Sequence, residues 1–109
     1  MRTDVRVVKL GGSLLWQPHL PGRFRAWLSE QPPRANVLVV GGGAFVEGLR
    51  ELDRTQYLHP STVHWMAIRA LGIISGAVAE LLSARLVRVV GDLQLRPPST
   101  EILDVEQFL

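Results

Sequence analysis

The chain predicts an α/β fold, a three-layer α-β-α sandwich built on a mainly parallel sheet. Three observations carry that prediction. Short β-branched runs, "VRVVKL", "NVLVV" and "LVRVV", recur along the 109 residues; amphipathic stretches of helical period separate them; and the first two runs stop at glycine clusters. Strands alternating with helices of this length cross over to parallel neighbours and pack their helices on the sheet faces.

The first run ends at Gly11 and Gly12 and reads as a buried strand closing at a tight turn. Pro21 stands near a helix start, and Phe24, Trp27 and Leu28 keep helical spacing until Pro32 and Pro33 stop it. A second strand over 36–40 runs into Gly41, Gly42 and Gly43. Beyond it Phe45, Leu49 and Leu52 fall at i, i+4 and i+7, with Glu47, Arg50, Glu51 and Arg54 on other faces and Gly48 inside the predicted helix. From Pro60 to Ser83 a longer helical repeat follows, through Val63, Met66, Ala70, Ile74, Val78 and Leu81. Trp65, Ile68, Leu71 and Ile73 widen its apolar surface, so burial is expected on more than one side, by the sheet and by a second subunit meeting Trp65, Ile68 and Ile73. A third strand is expected over 86–90, a proline-containing loop over 91–100, and a short fourth strand over 102–105.

Length and an apolar content of 47% are enough for a single core, so one domain is expected over 1–109. Twelve cations against ten anions leave a formal charge of +2, and the eleven arginines are scattered among acids, which argues against nucleic acid as a partner. The absence of cysteine excludes disulfides and thiolate metal sites and fits a reducing compartment. The opening "MRTDVRVVKL" has no long apolar run of a leader peptide. The uncharged stretch "ALGIISGAVA" is far shorter than the roughly 20 residues of a membrane span. A cytoplasmic protein with no membrane partner is the expectation.

The turns leaving the carboxyl ends of parallel strands gather along one edge, where open α/β sheets bind ligands. Here both are glycine-rich, and the only lysine, Lys9, stands just before the first. Glycine permits close backbone approach, so successive N–H groups can converge on an anion at the positive end of a following helix, and a lysine adds a flexible point charge for phosphate. The plainer reading keeps the glycines as turn punctuation. "GGGAFV" begins like a dinucleotide fingerprint but has Val46 where the third small residue belongs, and no G-x-x-x-x-G-K-[ST] run exists. Phosphate handling by another glycine architecture remains.

"VVKLGGSLL", followed by "VLVVGGGAFVEGLR", resembles the amino-terminal half of the amino acid kinase family, which includes aspartate, acetylglutamate and uridylate kinases. The later "HWMAIRALG" looks most like the branch containing kinases of methanofuran biosynthesis. The resemblance implies an ATP-dependent phosphotransferase acting on a small acid, phosphate or alcohol, with magnesium as cofactor. Lys9, Gly11, Gly12 and Ser13 would face the transferring phosphate, and Gly41, Gly42 and Gly43 would contact the phosphoryl group and the small-molecule acceptor. The family also carries a carboxyl-terminal nucleotide-binding half, for which this sequence shows no counterpart, and no lysine follows Lys9. The resemblance therefore implies a second copy or a partner chain supplying the nucleotide half. The rival expectation is a non-catalytic anion-binding or assembly module.

The remaining polar residues have local readings. His59 and His64, five apart, do not stack on one helix face, and no metal site is expected from them. His64 with Trp65 reads as a packing pair or as a group facing the acceptor. Glu47 is expected to complement the dipole of the helix after the triple glycine. Asp53 is expected to be solvated, Asp92 to serve its turn, and Asp104, set within "ILDV", to make a polar contact.

Overall fold

A computed structural model describes residues 5–108, the side chain of Phe108 excepted; residues 1–4, on which part of the leader-peptide reading rests, lie outside the described residues. The chain is α/β, with a four-stranded all-parallel sheet and three helices, consistent with a three-layer sandwich. Strand β1 (Val5–Leu10) leads through a 3-10 turn (Gly12–Trp16) into α1 (Leu20–Ser29), and β2 (Ala35–Val40) leads directly into α2 (Gly43–Gln56). Then follow α3 (Pro60–Leu82), β3 (Arg85–Val87), a 3-10 turn (Val90–Asp92), β4 (Ser99–Leu103) and a closing 3-10 turn (Val105–Phe108). The spatial order is β1-β2-β4-β3.

That order dictates where the helices go. From β1 to β2 and from β2 to β3 the chain moves across the sheet in one direction, so right-handed crossovers place α1, α2 and α3 on the same side. The return from β3 to β4 runs the other way and must cross the opposite face. The residues agree. Leu10, Leu38, Val40 and Ile102, all at even strand positions, form the core with Leu20 and Phe24 of α1 and Ile74 and Val78 of α3. On the odd face the layer is irregular: the segment between β3 and β4 lies over Glu101, whose Oε1 accepts from the backbone N–H groups of Gln94 (3.0 Å) and Leu95 (3.2 Å). Toward β1 that cover gives out, and Val7 is 70% exposed.

Helix α3 takes the sheet through its buried stripe and carries α2 on its flank; α2 buries no residue fully. Over its whole 23 residues, with a mean hydropathy of 1.5 in its most apolar window, α3 is long and apolar enough to cross a membrane. It packs on the core through Ile74, Ser75 and Val78, with 33% of that window buried, and there is no clear membrane-protein signature among the described residues.

Two strand boundaries differ from expectation. β3 stops at Val87, where the expected strand ran to Val90: its last ladder bond runs from Asp104 N–H to the Val87 carbonyl (2.8 Å), β4 has ended at Leu103, and Val89 and Val90 are more than half exposed. β4 starts at Ser99, inside the expected loop, because Ser99 through Ile102 pair with Ala35 through Leu38. It ends at Leu103, since Asp104 turns to cap the closing 3-10 segment by accepting from Glu106 N–H (3.1 Å).

Candidate functional site

β1 and β2 pair in register with Leu10 opposite Val40, so both glycine turns leave the carboxyl edge at the same level. Gly41 N–H donates to the Leu10 carbonyl (2.9 Å) and ties one turn to the other. Beyond that bond the two turns pack backbone on backbone. A Cβ on Gly12 would sit 2.8 Å from the Gly42 carbonyl carbon and closer still to Gly43 Cα and N; a Cβ on Gly43 would sit 2.5 Å from Gly12 Cα. Gly43 also holds φ at +50°, the left-handed region. Gly42 faces the Val46 side chain, whose Cβ would lie 2.8 Å from a side chain placed there. Gly11, by contrast, has open space around it.

The structure thus brings Gly12, Gly41, Gly42 and Gly43 together. Gly42 is the N-cap of α2 and offers no side-chain acceptor, so the N–H groups of the first turn of α2 are left without a side-chain cap beside the glycine contact. Next to them a cavity of about 320 Å³ opens between α2 and α3, with Val46, Ala67, Ile68 and Leu71 as its apolar wall and Arg50 and His64 among its polar groups. Glu47 also lines it, paired with Arg50. It sits beyond the first turn of α2, so its partner is the guanidinium and not the helix dipole expected from the sequence. The ring of His64 stands edge-on to Trp65 at 5.6 Å between centroids, as the packing-pair reading expects, and the residue also lines the cavity.

Lys9 and Ser13 are placed differently. Lys9 is exposed, on the odd face opposite Leu10, and borders a separate groove with Leu10, Leu14 and Phe24 instead of the cavity beside Gly42. Ser13 is exposed at the start of the 3-10 turn. The expected dimer face is also divided: Ile68 is buried at 6% exposure, whereas Ile73 is 61% exposed and joins Trp16, Phe45 and Leu81 in an apolar patch. Trp65 lies apart from that patch, over the closing 3-10 turn.

Several polar roles were not visible in the sequence. Glu101 is 4% exposed and pairs with Arg85 Nη1 (2.8 Å) besides its two backbone donors. Asn36, buried, accepts from Arg6 Nη1 (3.0 Å) and donates to the Ser99 carbonyl (2.9 Å). Asp53 is half-buried where a solvated group was expected, because its Oδ1 accepts from Leu58 N–H (3.0 Å) and closes the end of α2. His59 caps α3 through Nδ1, which accepts from Ser61 N–H (3.2 Å); the signal available for it was Pro60 at the first helical position. Asp104 makes the expected polar contacts from a buried position, with Arg88 Nε 3.6 Å from Oδ2.

Among the described residues no group of three His, Asp or Glu side chains is placed to hold a metal ion. No protein-family model matches the chain, and no curated protein matches it significantly.

Proposed function

We propose that the chain is the acceptor-side half of an ATP-dependent phosphotransferase of the amino acid kinase type. The observation that carries this reading is the backbone packing of Gly12 on Gly43, which unites the two glycine turns at the carboxyl edge where parallel sheets bind ligands. In this reading the N–H groups around Gly11, Gly12 and Ser13 hold the γ-phosphoryl group of ATP, and Lys9 swings its ammonium over the edge to balance the charge. A small-molecule acceptor bearing an acid, phosphate or alcohol group occupies the cavity beside Gly42 and Gly43. An acceptor oxygen attacks the γ-phosphorus in line, the bond to the β-γ bridging oxygen breaks, and ADP leaves. Catalysis is by positioning and charge stabilisation, with no covalent intermediate. Magnesium, which the resemblance implies, would enter with the nucleotide phosphates and offset their charge. The base and ribose are held by a nucleotide-binding half from a second copy or a partner chain, in the cytoplasm.

One observation favours the second reading, a non-catalytic anion-binding or assembly module: Lys9 borders a different groove from the cavity beside Gly42. Calorimetric titration with MgATP, and with inorganic phosphate for comparison, separates the two. Magnesium-dependent ATP binding lost in Lys9→Ala supports the kinase reading. Phosphate and ATP bound alike, with no dependence on magnesium or Lys9, would remove it in favour of the module.

A further inference from the structure

β1 is an edge strand: it pairs with β2 on one side, and among the described residues no strand accompanies it on the other. Soluble proteins blunt such edges with proline, bulges, charge or brevity. β1 has six residues, no proline and an unbroken register. Its Arg6 guanidinium is engaged, donating to Asn36 Oδ1 and to the Pro32 carbonyl (2.8 Å), so Lys9 is the charged side chain of the strand left without such partners among the described residues. A groove of about 290 Å³ borders the strand, with Leu14, Leu20, Phe24 and Trp27 in its walls and Arg23 beside them.

Charge selects the occupant. Residues 5–29, which build the edge, the 3-10 turn and α1, contain Arg6, Lys9, Arg23 and Arg25 and no Asp or Glu, in a chain of net charge +2. Neither Lys9 nor Arg23 is ion-paired among the described residues. A second copy's β1 laid along this edge would set these cations against themselves, which opposes self-pairing. We infer that the β1 edge docks an extended acidic and apolar segment of another protein, which adds a fifth strand. The free main-chain groups of β1 supply affinity indifferent to sequence, the groove takes apolar side chains at alternate positions, and Arg23 and Lys9 favour carboxylates and reject basic strands.

The test uses the whole chain with fluorescein-labelled Gly-Val-Glu-Val-Glu-Val-Gly and its lysine counterpart, read by anisotropy, with hydrogen exchange locating the site. The acidic peptide should bind about tenfold tighter than the basic one and slow exchange at β1 amides. Arg23→Glu should invert the preference, whereas Arg25→Glu, on α1 but outside the groove, should change affinity less than about threefold; circular dichroism checks that both variants fold. Equal binding of the two peptides, an unaltered preference in Arg23→Glu, or protection confined to the glycine turns would overturn the inference. So would β1 protection that grows with protein concentration in the absence of peptide, since a second copy would then occupy the edge.

Discussion

Gly11 and Gly12 are neighbours in one turn, yet the same substitution should move stability in opposite directions. A methyl group on Gly12 would stand 2.8 Å from the Gly42 carbonyl carbon, where carbon atoms ordinarily keep about 3.5 Å, and it would overlap Gly43 more severely. All of these are main-chain atoms, so no rotamer change relieves the overlap; the two turns must separate. Overpacking of this kind costs about 1–3 kcal/mol. For a chain of 109 residues, where 1 kcal/mol is worth about 4 °C, Gly12→Ala should lower Tm by roughly 4–12 °C. A methyl on Gly11 meets nothing within 4 Å, and its φ of −64° and ψ of 140° suit any residue. Gly11→Ala therefore gains about 0.4–1 kcal/mol by restricting the unfolded chain, or roughly 2–4 °C. Gly12→Ala/Gly43→Ala should cost less than the sum of the single variants, because one separation of the turns accommodates both methyl groups. Thermal melts followed by far-ultraviolet circular dichroism decide the matter. A Gly12→Ala protein melting at or above the parent, or Gly11→Ala falling alongside it, would refute the backbone contact as drawn.

Other perturbations probe parts of the fold distant from that contact. Glu101→Ala removes the acceptor of two backbone N–H groups and a partner of Arg85; since Arg85 stays 46% exposed, most of the expected loss of about 2–3 kcal/mol comes from the stranded donors. Hydrogen exchange at the Gln94 and Leu95 amides should accelerate with it, and unchanged exchange would contradict the assignment. Tyr57 ends α2 with φ at +55° while its side chain is 87% exposed, so Tyr57→Gly should raise stability by about 0.5–1 kcal/mol in urea unfolding. If a second copy joins through the patch of Trp16, Phe45, Ile73 and Leu81, light scattering at high micromolar concentration should give a dimer mass that Ile73→Glu converts to a monomer; a monomeric parent would dismiss that patch as an interface.

The fold class was legible because its signals are local and repeated. β-Branched runs, helical spacing and glycine stops all sit within windows of ten residues, and each held in place for β1, β2 and the three helices. The ends of β3 and β4 were not, because they depend on a partner: Val89 and Val90 have strand propensity but no ladder to join, while Ser99 and Thr100 look like loop and are drawn into pairing by β2. In the candidate site, the proximity of the two glycine turns followed from parallel topology. What distinguishes Gly12 from Gly11 is a contact across 31 residues, which no single-sequence pattern records. The face occupied by Lys9 was half-readable: alternation sets it with Val5 and Val7, but which face the helices cover depends on the direction of the crossovers. Glu101 offered no hint at all, since an acid at an alternate strand position ordinarily marks the solvent side.

The position of β4 governs the order in which the molecule can assemble. Among the described residues it is the last strand in sequence and an interior strand in space, filling the gap between β2 and β3. Until Ser99–Leu103 has been synthesised and inserted, β3 has no ladder partner, and one side of β2 stands open. A nascent chain can complete β1, α1, β2 and the long helix early, but half of this sheet must wait for five residues that follow every other described strand. Shortening the chain by those residues would therefore remove two strands from the sheet, one by deletion and one by orphaning it, and would leave Leu38 and Val78 without the Ile102 side chain of the core they share.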